Sequence, residues 1–409
     1  MKKVLLISTL LAIGAGLRAQ DMGMQAILGQ IAANNKQLQS IEQRATSEKM
    51  TNRSENNLPN PSVSYSHVWD SKDKNITAGE FIVSQGLDFP TLYATRGKMN
   101  RARNLAVDAS ALAMRQDILL QAKELCLDII TLHRQQQLLN ERLANAEELA
   151  VLYKKRLDAG DANAIETNKI NLELLNVRTE VRLNETALHG AVKQLMALND
   201  NRPMVTGGRP LPGNMSVSPA ALGLTEMDIT PLPTDFHAEI NTLLDADASL
   251  QAMESTRTAA GRSLSANRQG WLPSLELGYR RNTDSGHPMN GVVVGFSVPL
   301  FQNIGKVKAA KAEKLGAELE YDAVRMQTEA SLWQLYDEAQ QLQTSIREYK
   351  ETLGAQQDFR LLQQALTSGE MSMIEYFVEV QSVYQSHSNL IRLENQYEKA
   401  MAKIYKSRL

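Results

Sequence analysis

The chain has 409 residues, of which 43% are hydrophobic and 22% are charged, and its formal net charge is −2 at pH 7. This composition is typical of a folded protein and excludes disordered and collagen-like chains. The slightly negative charge gives no reason to expect a nucleic-acid partner.

The first 19 residues predict a secretory signal peptide. Lys2 and Lys3 form a basic start, residues 4–17 form an apolar run, and Ala19 is a small residue at the expected cleavage point. The run is shorter than the roughly 18 residues of a membrane span, which disfavours a retained anchor. The single cysteine, Cys126, lies in a helical pattern, so a buried thiol is expected and no intrachain disulfide can form.

The first half of the mature chain, residues 20–200, predicts an opening helix, two strands and two long helices. SVSYSHVW and GEFIVSQGLDF alternate between two kinds of side chain, and this period of two predicts strands with two different faces. No proline occurs between Pro90 and Pro203, which favours long helices. We expect a β-hairpin at 62–89, a long helix at 96–159 and a further helix at 163–198.

A turn is predicted between the two long helices. Gly160 can end a helix in the left-handed conformation. Asn163 and Glu166 have the spacing of a capping box at the start of the next helix. The two helices are therefore expected to be antiparallel neighbours.

Residues 201–234 differ from their surroundings because they hold six of the 12 prolines. They predict an extended connector on the surface. The remaining residues, 235–409, again predict a helix, two alternating strands around a turn-rich break at 282–290, and long helices. We expect the second hairpin at 273–301 and helices at 305–367 and 372–408, with Gly369 in the turn between those helices.

The second half repeats the first. Four markers recur in the same order at offsets between 208 and 213 residues. They are Pro61-Ser-Val with Pro273-Ser-Leu, Ser84-Gln-Gly-Leu with Ser297-Val-Pro-Leu, Gly97-Lys with Gly305-Lys, and Gly160 with Gly369. The predicted fold is mainly α with a small β part, built from two structural repeats that form one interleaved unit.

The chain is expected to be exported and to contain four strands, each with two different faces. The backbone N–H and C=O groups on the outer edges of these strands need hydrogen-bond partners. Unpaired strand edges cannot lie in lipid, and membrane barrels need at least about 8 strands. Three copies would supply about 12 strands, and their long helices could continue the barrel as a hollow tube.

The sequence resembles the TolC family of outer-membrane efflux proteins over the whole mature chain. The resemblance rests on the two repeats, on the strand openings LPNPSVSY and WLPSLELGY, and on the segment VGFSVPLFQNIGKVKAAKAE. It implies a homotrimer with a roughly 12-stranded β-barrel, four strands per chain, continued by a periplasmic α-helical barrel. Within the family, the short length and VKAAKA are most similar to the CzcC- and CusC-like members.

The resemblance implies an outer-membrane channel component of a tripartite efflux system. Such a passive duct exports small molecules or metal ions delivered by an inner-membrane pump, of the RND type or an ABC transporter, through a periplasmic membrane-fusion adaptor. No nucleophile elbow, phosphate loop or metal motif occurs, so neither an enzyme nor a cofactor is expected. Two alternatives stay open: the outer-membrane duct of a type I protein secretion system, and a pore-less periplasmic coiled-coil scaffold.

The resemblance also places a gate at the periplasmic tip, where acidic residues of the inner helices form rings. Glu375 is the best-matching position, Glu166 is its counterpart in the first half, and Glu379 lies one turn beyond Glu375. A ring of Glu375 carboxylates would favour cations, whereas the spacing from Ser372 to Glu375 also fits a capping box. Contact with the adaptor is expected at the turn residues Gly160, Asp161, Gly369 and Met371.

Three aromatic residues at or near strand ends, Trp69, Tyr279 and Trp271, are candidates for a girdle at the interface with outer-membrane lipid. A packed junction fits Trp271 equally well. Met371 and Met373 have the chemistry to bind Cu(I), although a packing or adaptor-contact role is more frequent. The six histidines are scattered, so no metal site is predicted.

Overall fold

The structure is a computed structural model that describes residues 19–72, 77–161, 163–206, 209–210, 218–284, 287–355 and 359–409. The predicted signal peptide lies outside these residues except for Ala19, which begins the first helix. Helices make up most of the described chain, and strands form a small part of it.

The first half contains two helices, a pair of strands and two long helices. They are α1 (Ala19–Asn34), α2 (Lys36–Ser54), β1 (Ser62–Trp69), β2 (Thr77–Leu87), α3 (Pro90–Asp158) and α4 (Ala164–Leu198). Pro90 is the first residue of α3. A proline is well suited to that position because the N–H it lacks would have no helical partner there.

The connector contains three short elements, and the second half then repeats the order of the first. The short elements are β3 (Val205–Thr206), β4 (Arg209–Pro210) and α5 (Pro219–Leu222). The later elements are α6 (Phe236–Ala246), α7 (Ala248–Gln269), β5 (Ser274–Asp284), β6 (His287–Ser297), α8 (Lys306–Ala355), α9 (Phe359–Ser368) and α10 (Met373–Ile404), followed by one 3₁₀ turn (Lys406–Arg408). The prediction of a mainly helical fold with two structural repeats is confirmed.

The four long strands form one antiparallel sheet in the order β1-β2-β5-β6. The register defines rows that cross the sheet on one face or the other. One row consists of Val63, Val83, Tyr279 and Val292. The next row, on the other face, consists of Ser62, Ser84, Gly278 and Val293. Because successive side chains point to opposite faces, one face of the sheet is apolar and the other is rich in serine, glycine and charged residues.

The prediction of a turn-rich break at residues 282–290 is wrong for the residues that the structure describes there. β5 continues to Asp284 and β6 begins at His287, while residues 285–286 lie outside the described chain. Thr283 pairs with Pro288. A proline is tolerated at this position because β6 is an edge strand of the sheet.

The chain forms two compact units, each assembled from segments of both halves. The helical unit contains the described residues up to 36, together with 118–232 and 335–404. Its fully buried side chains include Ile27, Ile129, Leu195 and Tyr397.

The connector contributes to the core of the helical unit. Leu222 and Leu224 are each 1% exposed, so the prediction that residues 201–234 run over the surface is wrong for this part. The Glu398 carboxylate holds the connector by accepting hydrogen bonds from the Thr230 N–H at 2.6 Å and the Thr230 hydroxyl at 2.8 Å. An extended segment can thus be buried where its polar groups find partners.

The sheet unit contains residues 37–117, 233–334 and 405–409. Beside the four-stranded sheet it packs helical segments around Phe236, whose ring contacts Trp333 edge to face at 5.0 Å between centroids. Glu239 accepts hydrogen bonds from Tyr405 at 3.2 Å and Arg408 at 2.9 Å, which anchors the last residues of the chain.

Candidate functional site at the helix-hairpin tips

Two turns of the helical unit share one backbone construction, and we name them the first tip (residues 160–166) and the second tip (residues 369–375). Gly160 follows α3 with φ of 83°, and Gly369 follows α9 with φ of 80°. In both tips the residue after the glycine donates its N–H to a carbonyl five residues earlier. These bonds join Asp161 to Arg156 at 2.8 Å and Glu370 to Ala365 at 2.9 Å. This Schellman geometry requires a left-handed residue, which explains a glycine at both positions.

The helix that follows each glycine begins with a reciprocal cap. The Asn163 side chain accepts from the Glu166 N–H at 2.9 Å, and the Asn163 N–H donates to the Glu166 carboxylate at 3.3 Å. Ser372 and Glu375 repeat this pair at 3.3 and 2.9 Å. The predicted capping boxes are confirmed, so both carboxylates stabilise the start of a helix in addition to carrying charge.

The predicted gate residues lie at the start of α4 and in the first two turns of α10. Glu375 and Glu379 are exposed, and Glu166 is half-buried. The pKa of Glu375 lies below its ordinary value, mainly because of the hydrogen bond with the Ser372 backbone and secondly because of the hydrogen bond with the Ser372 hydroxyl. Glu375 is therefore ionised at neutral pH and supplies a negative charge beside a helix N-terminus, where the helix dipole favours it. The arrangement of these carboxylates as rings stays a prediction.

A buried cluster brings the two tips together. It joins Tyr153 and Ile170 of the first hairpin to Leu366, Met373 and Tyr376 of the second, all at most 4% exposed. Met371 is partly buried and packs against the same cluster. The two methionines are thus packing residues in this unit. Asp161 is exposed.

A polar network near the cluster was missed by sequence reasoning. Arg142 of α3 donates to Glu173 of α4 at 2.6 and 2.9 Å and to Glu180 at 3.0 Å. Its guanidinium lies 5.9 Å from the ring centroid of Tyr384 on α10. Asn145 donates to the Tyr384 hydroxyl at 2.8 Å.

This network ties three helices of the unit to one another. Burial raises the pKa of Tyr384 to about 12, although the hydrogen bond from Asn145 opposes this rise. The spacing of Met373, Tyr376, Val380 and Tyr384 was the available signal, because apolar residues three or four apart predict one buried helix face. The charged partners on α3 and α4 had no comparable signal.

The three predicted interface aromatics lie in different places of the sheet unit. Trp69 is the last residue of β1 and is 62% exposed, and its ring lies 6.1 Å from the ring of His67 between centroids, at a tilt of 42°. Trp271 lies just before β5. The placement of Tyr279 near a strand end is wrong, because β5 runs from Ser274 to Asp284 and Tyr279 lies in its middle.

Within the described ranges, no group of three or more His, Cys, Asp or Glu residues is arranged to hold a metal ion. No helix of that part of the chain combines the length and the apolar character needed to cross a membrane.

Comparison with known proteins finds similarity over nearly the whole chain. Residues 240–407 match the family model described as outer membrane efflux protein, and no curated protein matches the chain. The solved structure of CusC has 15% identity and a TM-score of 0.76, covering 97% of this chain and 95% of that chain.

Two further solved structures agree with this result. The outer-membrane channel OprN has 14% identity and a TM-score of 0.74, covering 95% of this chain and 90% of that chain. The outer membrane protein VceC from Vibrio cholerae has 14% identity and a TM-score of 0.72, covering 94% and 96%. At such identities the similarity establishes the fold, and its coverage includes both repeats.

Proposed function

We propose that this chain belongs to the outer membrane efflux protein family, whose model matches residues 240–407, and that it is the outer-membrane channel of a tripartite efflux system. The family places the protein in the bacterial outer membrane, as the sequence predicts. The proposed channel is a passive duct for small molecules or metal ions. An inner-membrane pump of the RND type, or an ABC transporter, supplies the energy, and a periplasmic adaptor connects pump and duct.

The observation that carries this proposal is the exposed apolar face of the sheet. Val292, Val294 and Phe296 of β6 are 80%, 71% and 76% exposed. Valine and phenylalanine gain roughly 1.5–3 kcal/mol each when they are removed from water. A continuous face of such side chains therefore indicates an apolar environment, and lipid supplies it.

The edges of the sheet support a homotrimer. Among the described strands, β1 and β6 each pair on one side only, and an open edge cannot lie in lipid. If β6 of one copy pairs with β1 of the next, three copies close a barrel of about 12 strands. The polar face, which carries the Glu80–Arg280 ion pair, then lines the lumen.

For the gate we assign Glu375, Glu379 and Glu166, repeated around the threefold axis at the periplasmic end of the helical tube. The identical caps of the two tips and the cluster that joins them support this assignment, because they fix the carboxylates relative to each other. Contact with the adaptor is assigned to the exposed turn residues and their neighbour in the cluster, namely Gly160, Asp161, Gly369 and Met371.

Conductance in planar bilayers tests the gate. Glu375→Gln keeps a residue that can form the capping box but removes the charge, whereas Ser372→Ala removes the side-chain cap and keeps the charge. Glu370→Ala removes a neighbouring exposed carboxylate and serves as the matched control. A gate at Glu375 requires that Glu375→Gln change the conductance or its block by divalent cations, while the other two variants leave both unchanged.

Three results would overturn parts of the proposal. Wild-type behaviour of Glu375→Gln removes the gating assignment. Crosslinking that yields only monomer in the outer-membrane fraction removes the trimer. A complete absence of conductance favours the pore-less scaffold instead.

A further inference from the structure

We propose that Arg281 binds a phosphate group of an anionic glycolipid of the lipid A type in the outer leaflet of the outer membrane. The inference rests on the proposed function, because it requires the apolar face of the sheet to contact lipid. It adds a defined lipid-binding residue to that face.

Arg281 is an isolated charge on the apolar face. It lies in the row formed with Tyr65, Phe81 and Asn290, which we name the Arg281 row. Among the described strand residues of that face, Arg281 alone is a Lys, Arg, Asp or Glu. Its side chain is exposed.

The neighbouring arginine shows how a charge in this sheet is otherwise satisfied. Arg280 points to the opposite face and forms an ion pair with Glu80. In the part of the chain that the structure describes, no such carboxylate pairs with Arg281. Among the described residues, the guanidinium of Arg281 is therefore available to a further partner.

The level of Arg281 on the strand matches a membrane interface. On the side of the helices α3 and α8, its own strand presents Leu275, Leu277 and Tyr279. On the other side, the next row contains Gly79, Thr283 and Pro288. The distance from Leu275 to Arg281 is about 20 Å along the strand at 3.3 Å per residue. With a tilt of about 40° this spans roughly 15 Å of a band about 25 Å tall.

Exposed residues beyond β6 supply more of that band. Val298, Leu300 and Phe301 are more than half exposed and continue the apolar surface on the side of α8. Aliphatic side chains thus lie on the helix side of the Arg281 row, whereas small and polar residues follow it on the other side, with Trp69 at the end of β1.

Two tyrosine hydroxyls on this face point toward the hairpin-turn end. The Tyr279 hydroxyl donates a hydrogen bond to the side-chain oxygen of Asn290 at 2.7 Å, and Asn290 belongs to the Arg281 row. A Cβ at Gly79 would lie 3.1 Å from the Tyr65 hydroxyl, so this ring also extends toward the hairpin-turn end. Tyrosines with an apolar body and a polar tip in this direction are typical of the boundary between lipid tails and headgroups.

The chemistry of the ligand follows from this position. A guanidinium matches a phosphate bidentately, and the pair is strongest where water is partly excluded. The hairpin-turn end is the end away from α3 and α8, which are periplasmic in the proposed channel. The Arg281 row then lies in the outer leaflet, where a phosphorylated glycolipid supplies both the anion and the acyl chains that contact Leu277 and Val294.

Native mass spectrometry of the full mature protein tests the inference. It measures the affinity for diphosphoryl lipid A and for phosphatidylglycerol, with Arg281→Gln as the variant and Arg280→Gln as a matched control on the opposite face. We expect Arg281→Gln to weaken lipid A binding by about tenfold to a hundredfold, as for the loss of one charge-assisted contact. Arg280→Gln should change it by less than about twofold.

Four outcomes decide the case. Equal lipid A affinity of wild type and Arg281→Gln overturns the inference, and so does an equal loss in Arg280→Gln. Equal affinity of wild type for phosphatidylglycerol and lipid A overturns the choice of a lipid A phosphate. The expected loss in Arg281→Gln alone, with an unchanged circular dichroism spectrum, supports it.

Outer-membrane fractionation and single-channel conductance of the wild type separate this inference from the proposed function. If the wild type reaches the outer membrane and conducts, but its affinity for lipid A is unchanged in Arg281→Gln, the proposed function stands and the inference about Arg281 is refuted. If the wild type neither reaches the outer membrane nor conducts, the proposed function and the inference about Arg281 are both refuted.

Discussion

Tyr384→Phe tests the hydrogen bond that ties α10 to α3 in the helical unit. Tyr384 is 4% exposed, and its hydroxyl accepts from Asn145 at 2.8 Å. The variant keeps the ring and removes the hydroxyl, so the half-buried Asn145 amide loses a partner. The free energy of unfolding at pH 8 should fall by about 1–2 kcal/mol.

The same variant has a defined pH dependence. Burial raises the pKa of Tyr384 to about 12, whereas an unfolded tyrosine titrates near 10. Between these values the unfolded state loses the proton first, so wild-type stability falls as the pH rises. At pH 11 the wild type has lost about 1.4 kcal/mol through this residue, and phenylalanine has no such loss. The deficit of Tyr384→Phe should therefore disappear near pH 11.

Urea unfolding of the detergent-solubilised protein at pH 8 and pH 11 measures both effects. A double-mutant cycle with Asn145→Ala isolates the hydrogen bond, and we expect a coupling energy of about 1 kcal/mol at pH 8. A deficit that is the same at both pH values, or a coupling energy near zero, would refute the reasoning.

Three further predictions concern buried and strained positions. Gly369→Ala should lower stability by about 1–2 kcal/mol because φ is 80°, while Gly316→Ala in the interior of α8, where an added Cβ would meet nothing within 4 Å, should raise it by up to about 1 kcal/mol; equal effects in urea unfolding would contradict this. Glu394 is 4% exposed and pairs with Arg134 and Lys350, so Glu394→Ala should cost about 2 kcal/mol. Removing one partner of a fully buried ion pair costs roughly 3–5 kcal/mol of stability, and the loss here should be smaller because Lys350 is 50% exposed. Unchanged thermal stability of Glu394→Ala would contradict this prediction. Cys126 is fully buried, and burial raises its pKa to about 12. A disulfide reagent at pH 8 should therefore label Cys126 only after the protein unfolds. Rapid labelling of the folded protein would show that the thiol is not buried.

Much of the candidate site could be predicted because caps and turns depend on local interactions. Gly160 and Gly369 end helices, and Asn163 with Glu166 begins one, through hydrogen bonds that span at most five residues. The contacts that join the tips could not be predicted in this way. Tyr384 and Asn145 are 239 residues apart in sequence, and only the packing of α3 against α10 brings them together.

The sequence by itself determined the element types, their order and the repeat. Alternation with a period of two defines strands, the absence of proline permits long helices, and glycine allows the left-handed turns. These are short-range preferences, so each segment carries its own signal. The same signal misled at residues 282–284 and 287–290, where turn-forming residue types occupy strand positions.

Only the tertiary structure decided which residues share an environment. The pairing of β2 with β5 joins the two hairpins into one sheet, and its register places Arg280 beside Glu80 and Arg281 on the apolar face. Two adjacent residues of the same type thus have opposite surroundings. The physical reason is that strand register is set by packing across the sheet, and a shift of one residue would exchange the two faces.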